Sequence, residues 1–334
     1  MNPIRFLTVA IPTHNRAAGL RESLEQLASL RVPGDVEWEL LVVENACNDA
    51  TVDVATEFRQ RLPIRCITEP RLGVSNARNA AVESARGQYI IFTDDDTLVD
   101  PMWLTAYRNA FAAYPESAVF GGPIVARFTT PPPDWLKRTF SLVATAYGQN
   151  LPETLDAGIG RGIEPYGANM AFRADIFRNH AFNPKYGPIG KKRINGSETD
   201  LIRRVLSAGH TGRWVSGATV EHRIQPAQMT TRFLRWYYAG CGAEMATHPI
   251  HGSPPAMLLG RPRWMWRTAS TTEIRYRCHR LYARPEIWVQ DMKEASVARG
   301  QLRCRATLVT PPLADDRLAS HTSRNQQHFA GTAD

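Results

Sequence analysis

Apolar runs alternate with amphipathic stretches through the first third of the chain, and this alternation restricts the fold more than any other feature of the sequence. Residues 6–11 (FLTVAI) form a short apolar run of the kind found in a strand covered on both faces. Leu20, Leu24, Leu27 and Leu30 then fall at helical spacing across 18–30. A strand is predicted near 36–43 (VEWELLVV), a helix near 51–62, a short strand near 64–68, a helix near 74–86 and a strand over 89–93 (YIIFT). Another helix is expected after Asp100-Pro101, because Asp can cap and Pro at the first position lacks only an orphan donor. Strands joined by helices through short connections build a mostly parallel, helix-covered sheet, which places the chain in the α/β class. Ligands in such sheets sit off the carboxyl ends of the strands. Chemistry is therefore expected just after residues 11, 43 and 93.

The middle of the chain is less regular. A strand is predicted over 118–128 (AVFGGPIVARF), then a proline-rich turn at 129–135 and a stretch of low periodicity before GANMAFR at 167–173. A helix near 198–208 and a strand near 213–221 follow. The length of 334 residues, with 43% hydrophobic and 22% charged side chains, suits one large or two modest globular domains and excludes a fibrous or disordered chain. No run approaches the roughly 18 apolar residues of a membrane-spanning helix, and the N-terminus lacks the small-residue cleavage site of a signal peptide. Five cysteines are scattered without a C-x-x-C pair, which argues against a disulfide framework or a zinc site and makes a cytoplasmic location the expectation.

Charge is unevenly placed. Residues 1–224 carry 25 basic and 24 acidic side chains, whereas 225–334 carry 15 and 8. This basic third also holds Phe233, Trp236, Tyr237, Tyr238, Trp264, Trp266, Tyr276, Tyr282 and Trp288. Two readings compete: a helical extension over 225–310 packing its aromatics on the flank of the sheet, or an interfacial surface in peripheral contact with an anionic membrane at the inner face of the plasma membrane. Residues 311–334 are polar and read as a disordered tail.

The sharpest local signal is Asp94-Asp95-Asp96 at the end of the apolar strand 89–93. Adjacent carboxylates repel unless a cation or donors compensate, and at a strand end they make a hard oxygen site suited to Mg2+ or Mn2+ with a phosphorylated ligand. The plainer alternative is a solvated acidic turn. Glu44-Asn45 occupies the same position on the neighbouring strand and could read a base or ribose edge, or simply turn the chain into the helix at Thr51. Arg71 and Arg78 flank a helix start after Gly73, a setting that favours phosphate. Ser197 and Asp200 have capping-box spacing, which leaves Glu198 as a carboxylate without a structural duty and a candidate general base. His222 follows an alternating strand and could be structural or a metal ligand.

These motifs stand in a distinctive order: VAIPTHNR (9–16), VVENACNDAT (42–51), RLGVSNARNAA (71–81), FTDDDTLVDPMWL (92–104), YGANMAFR (166–173), GSETDLIRR (196–204) and ATVEHRI (218–224). In that order the chain resembles the inverting family 2 glycosyltransferases of the GT-A fold. The resemblance implies a GT-A domain over 1–224, with nucleotide-sugar binding in 1–127 and the acceptor and catalytic part in 128–224. It implies that Pro12, Thr13 and Asn15 line the base and ribose pocket. Glu44, where the family usually has Asp, would contact base or ribose, and Arg78 would approach base or diphosphate. Asp94 and Asp95 would lie on the nucleotide-sugar, with Asp96 and His222 as ligands of a divalent metal, Mn2+ or Mg2+. Asn169 and Asp200 would stand near the donor sugar and acceptor. Glu198, where the family often has Asp, would be the catalytic base.

The implied activity is metal-dependent, inverting transfer of a sugar, first of all from a UDP-sugar, to a glycan or lipid-linked acceptor in polysaccharide or cell-envelope biosynthesis. Two other classes were weighed. A nucleotidyltransferase would use metal and nucleotide but leaves GANMAFR and GSETD without a role. A non-enzymatic nucleic-acid binder would explain the basic third but not three carboxylates that repel a phosphate backbone, so no nucleic-acid partner is expected.

Overall fold

The computed structural model describes residues 4–152, 158–160, 163–190, 192–248 and 256–304. The predicted tail, 311–334, and the last residues of the predicted extension lie outside these. Strands β1 (Phe6–Thr13), β2 (Glu37–Asn45), β3 (Ile64–Glu69) and β4 (Tyr89–Thr93) alternate with helices α1 (Ala17–Leu27), α2 (Thr51–Glu57) and α3 (Val74–Ser84). Then come β5 (Thr97–Val99), α4 (Trp103–Ala113), β6 (Ser117–Gly121), β7 (Ile124–Phe128), α5 (Asp134–Val143) and β8 (Asn169–Arg173). The hairpin β9 (Gly187–Ile189) and β10 (Lys192–Ile194) leads into α6 (Ser197–Ser207), β11 (Thr211–Trp214) and β12 (Val220–Ile224). Last are α7 (Thr231–Met245), the short hairpin β13 (Met257–Leu258) and β14 (Arg261–Pro262), α8 (Arg263–Tyr282) and α9 (Pro285–Arg303).

The main sheet has seven strands in the order β11-β6-β8-β4-β1-β2-β3. Only β8 runs antiparallel to its neighbours. One face packs on α1 and α4 through Leu20, Leu24, Trp103, Tyr107 and Phe111, and the other on α3 and α6 through Ala77, Ala81, Leu201 and Val205, all buried. Both faces are covered, so the strands read as apolar runs rather than as alternations.

Three predicted elements differ. The strand expected over 118–128 is two strands: β6 stays in the main sheet, whereas β7, after Gly122-Pro123, joins a second sheet of order β5-β12-β7. Proline cannot donate to a ladder, so the break falls there. The strand expected over 213–221 divides likewise into β11 in the main sheet and β12 in the second. Finally, the low-periodicity stretch contains α5, which packs on α9. Leu136 and Val143 of α5 share a third core with Tyr147, Leu234, Tyr238, Tyr276, Trp288, Val289 and Met292. The C-terminal helices are thus joined to the sheet through elements from the middle of the chain.

Candidate active site

The second sheet explains how residues far apart in sequence meet. In the β5–β12 register His222 stands opposite Thr97, and Arg223 N donates to Asp96 O at 2.9 Å. The imidazole is thereby delivered to the acidic turn at the end of β4, with Nε2 3.4 Å from Asp96 Oδ2. On the other side, Arg16 donates Nη2 to Asp96 Oδ2 at 2.8 Å and sets Nε 3.3 Å from Asp95 Oδ1. Thr13 Oγ1 donates to Asp95 Oδ2 at 2.7 Å. The triplet is therefore not a solvated turn: each acid has its own counter-group, and Asp95 and Asp96 are buried.

Those partners divide the titration behaviour. Burial, together with Asp96 and Asp94, pushes Asp95 up to about 7 despite Arg16 and Thr13. Burial acts the same way on Asp96, but His222 and Arg16 outweigh it and hold that carboxyl at about 2. Burial disfavours a charged His222 ring, yet Asp96 raises it to about 9. Asp94 is raised, first by burial and then by Asp96, with Arg78 opposing.

Arg78, on α3, is 4% exposed and lies between the triplet and α6. Its Nη2 is 3.9 Å from Asp94 Oδ1, and its Nη1 is 3.4 Å from Glu198 Oε2 and 3.3 Å from Ser197 Oγ. Its Nε is buried with no hydrogen-bond partner, an orphan donor of the kind a ligand oxygen satisfies. A Cβ on Gly167 would come within 2.0 Å of Arg78 Nη2, so only glycine leaves room for the guanidinium there. Pro12, Arg16, Arg78, Glu198 and His222 all face one cleft of about 610 Å³ with the triplet at its floor.

Other predicted residues are placed differently. Asn169 does not reach the cleft. Its side chain is fully buried and fully used: Oδ1 accepts from Trp103 Nε1 at 2.9 Å and Tyr107 Oη at 2.8 Å, and Nδ2 donates to the carbonyls of Pro123 and Ala218. It is a polar core hub, and the expected sugar contact is corrected accordingly. Asp200 forms no capping box with Ser197, because the cap position is Gly196 and the Ser197 hydroxyl is engaged with Ser75 Oγ at 2.7 Å. The Asp200 carboxylate instead accepts from Arg204, one turn on, and lines a separate cleft beside Asn179 and His180. Glu44 is buried and accepts from Cys47 N. Asn45 ties the ends of β2 and β3 to the start of α3, donating to Glu69 O and Arg71 O and accepting from Gly73 N. Exposed Asn15, at φ 52°, accepts from Asn48 N at 2.8 Å and joins the loops after β1 and β2.

Sequence reasoning missed Arg16, although it ends the VAIPTHNR segment and is the main counter-charge of the triplet. It also missed Tyr166, the first residue of the YGANMAFR segment, and Arg193, in a segment without recognisable motif; both line the cleft.

Asp96 and His222 form the donor set that a divalent metal would meet. His222 Nδ1 lies 2.7 Å from Tyr147 O and donates its proton there, so Nε2 faces Asp96: protonated it pairs with that carboxylate, and deprotonated it would offer its lone pair to a cation held between the two. An imidazole and a carboxylate oxygen side by side suit Mn2+ or Mg2+. Among the described residues no group of three His, Cys, Asp or Glu side chains converges, so Asp96 and His222 are the side chains that would hold such an ion, with oxygens of a bound phosphate and water completing its shell.

Similarity to known proteins agrees with this geometry. The chain is 25% identical over 243 residues to the succinoglycan biosynthesis protein ExoM of Rhizobium meliloti (strain 1021), covering 70% of this chain and 74% of that protein. It is 24% identical over 209 residues to glycosyltransferase AglE of Haloferax volcanii, covering 62% and 63%, so it spans less than two thirds of that relative's length. Among solved structures, S. aureus TarS 1–349 in complex with UDP-GlcNAc superposes with a TM-score of 0.52 at 14% identity, covering 90% of this chain and 92% of that one. Mannosyltransferase PcManGT from Pyrobaculum calidifontis, in complex with GDP-Man and Mn2+, gives 0.53 at 17%, covering 89% and 86%. At such identities these two structures speak to the fold, which is GT-A. The model of the family described as Glycosyl transferase family 2 matches residues 8–180. Because that match takes in just over half of the chain, from β1 through the acidic turn to β8, the protein belongs to glycosyl transferase family 2.

Proposed function

We propose that the cleft transfers a sugar from a nucleotide-diphosphate sugar, a UDP-sugar first of all, to a hydroxyl of a glycan or lipid-linked saccharide, with inversion. The observation that carries this reading is Arg78: a buried guanidinium with an orphan Nε, set between Asp94 and Glu198. A diphosphate entering over the triplet would take hydrogen bonds from Arg78, neutralising the leaving group as its charge develops. Asp96 and His222 would hold the divalent metal, which supplies further positive charge at the diphosphate. Pro12, Asn15 and Glu44, at the carboxyl ends of β1 and β2, would flank the base and ribose; Thr13 supports them by fixing Asp95.

Glu198 stands at the start of α6 with its carboxylate on the cleft. It would take the proton from the acceptor hydroxyl as that oxygen attacks the anomeric carbon from the face opposite the diphosphate. The Glu198–Arg78 contact gives the base a counter-charge while the cleft is empty. When Arg78 turns to the diphosphate, the carboxylate is freed to accept a proton. The same reading favours polysaccharide or cell-envelope acceptors, since one relative is named for succinoglycan biosynthesis.

The test is calorimetric titration with UDP, GDP, dTDP and CDP, with and without Mn2+. One nucleotide, UDP by expectation, should bind tightly only with metal, and Asp96→Ala should abolish that dependence. Glu198→Gln should keep UDP affinity within about threefold while release of UDP from the matching nucleotide sugar falls about a thousandfold. Metal-independent binding, or near-normal turnover by the glutamine variant, would reject the assignments.

A further inference from the structure

One wall of the cleft, formed by β10 and α7, is built differently. Every other arginine lining it has a carboxylate partner: Arg16 has Asp95 and Asp96, Arg78 has Asp94 and Glu198, and Arg203 has Glu164 at 3.7 Å. Arg193, on β10, forms no such pair among the described residues. Its Nε donates to Asn195 Oδ1, and its guanidinium carbon lies 4.7 Å from the ring centroid of Trp236 and 4.9 Å from that of Tyr237, both on α7. Half-buried on the cleft wall, its pKa is held below the usual arginine value, first of all by burial.

The position is fixed rather than incidental. Asn195 N donates to Gly240 O at 3.2 Å, and Asn195 Nδ2 reaches Cys241 Sγ at 3.0 Å, so the end of β10 is clasped to α7. A Cβ on Gly240 would stand 2.9 Å from Arg193 Cγ and 2.7 Å from Asn195 Oδ1; glycine lets the arginine stem press against the helix. Phe233, Trp236 and Tyr237 line the cleft beside it. Aromatic faces pack on the apolar faces of sugar rings, and a fork of guanidinium donors matches a carboxylate or phosphate.

Resting on the transferase reading above, we propose that Arg193, Trp236 and Tyr237 form the acceptor subsite and select a saccharide bearing an anionic group, a carboxylate or a phosphate ester. Glu198 lines the same cleft, within electrostatic reach of Arg193 and 3.4 Å from Arg78, so an acceptor held here would present a hydroxyl to the base while the diphosphate lies at the triplet. In this arrangement Arg193 is a specificity residue for the acceptor and leaves the donor untouched.

The test uses the full chain saturated with UDP and Mn2+, titrated with methyl glucuronide, glucose 6-phosphate and neutral methyl glucoside, and read by ligand-observed NMR and tryptophan fluorescence. One or both anionic sugars should bind about tenfold more tightly than the glucoside, and which of them does so identifies the carboxylate or the phosphate. Arg193→Gln should erase that preference while leaving glucoside and UDP affinities unchanged, and Arg193→Lys should restore part of it. Trp236→Ala should weaken all three sugars alike. Equal binding of charged and neutral sugars, or no binding of any, would overturn the subsite with UDP binding intact. Loss of UDP affinity in Arg193→Gln would also overturn it, making Arg193 a diphosphate residue. Absence of UDP binding by the unmodified chain would instead defeat the transferase reading itself.

Discussion

At the scale of single residues, neighbours decide what a polar side chain does. Asn169 and Glu198 both occupy segments that resemble family motifs, yet one is sealed in the core and the other faces the cleft. Removing Asn169 would leave Trp103 Nε1, Tyr107 Oη and the Ala218 carbonyl buried without their partner, whereas Pro123 O would keep Val220 N. Each unsatisfied group costs on the order of 1–3 kcal/mol, softened by relaxation and water entry. Asn169→Ala should therefore lower unfolding stability by about 3 kcal/mol in denaturant titration while the folded fraction binds UDP normally. A variant of unchanged stability and weakened UDP-sugar binding would return Asn169 to the site. The acidic triplet was legible as a site because three adjacent carboxylates at a strand end demand compensation. Its compensators were not: Arg16 is one arginine among 35, and nothing in its own segment tells which acid it meets.

At the scale of elements, helix spacing and apolar runs located most of the first half because each strand is covered on both faces and each helix on one. The errors fall where one continuous run serves two sheets, as at 118–128 and 213–221, since local pattern cannot show that the chain changes sheet. The contact between α7 and α9 was also invisible. Gly242 and Gly300 let the two helices cross closely: a Cβ on Gly242 would lie 1.9 Å from Val297 O, and one on Gly300 would lie 2.0 Å from Ala239 O. Neither carbonyl can retreat without breaking its helix. Gly242→Val should cost about 3 kcal/mol of stability through overpacking, whereas Gly34→Ala, where nothing stands within 4 Å, should change it little. Equal melting temperatures for the two variants would refute this account of the crossing.

At the scale of the whole molecule, the basic third divides its aromatic side chains between core, cleft and surface. Tyr238, Tyr276 and Trp288 are core residues, and Trp236 and Tyr237 line the cleft. Trp264, Ile274 and Leu281 recur along the outer face of α8 and are exposed, next to Leu258 and Leu259 of the preceding hairpin and to exposed Arg263, Arg267 and Arg277. No described helix is long and apolar enough to cross a membrane. A membrane contact on this face predicts that sedimentation with phosphatidylglycerol vesicles exceeds that with phosphatidylcholine vesicles and falls with added salt. Replacing Leu259 and Trp264 by Ser should reduce it. Equal sedimentation with both lipids would leave α8 without that role.

The sequence by itself determined the α/β class, the strand ends that carry the chemistry and the identity of the acidic turn. These follow from local periodicity and from charges too crowded to stand unassisted. Tertiary structure alone decided that Arg16 meets Asp95 and Asp96, that Arg78 meets Glu198, and that Asn169 and Asp200 leave the cleft. It also decided that Arg193 stands against Trp236 and Tyr237 of α7 without a carboxylate partner among the described residues. Each of these depends on strand register and helix crossing between segments scores of residues apart, and such pairings are fixed by packing the whole core, which no local stretch of sequence encodes.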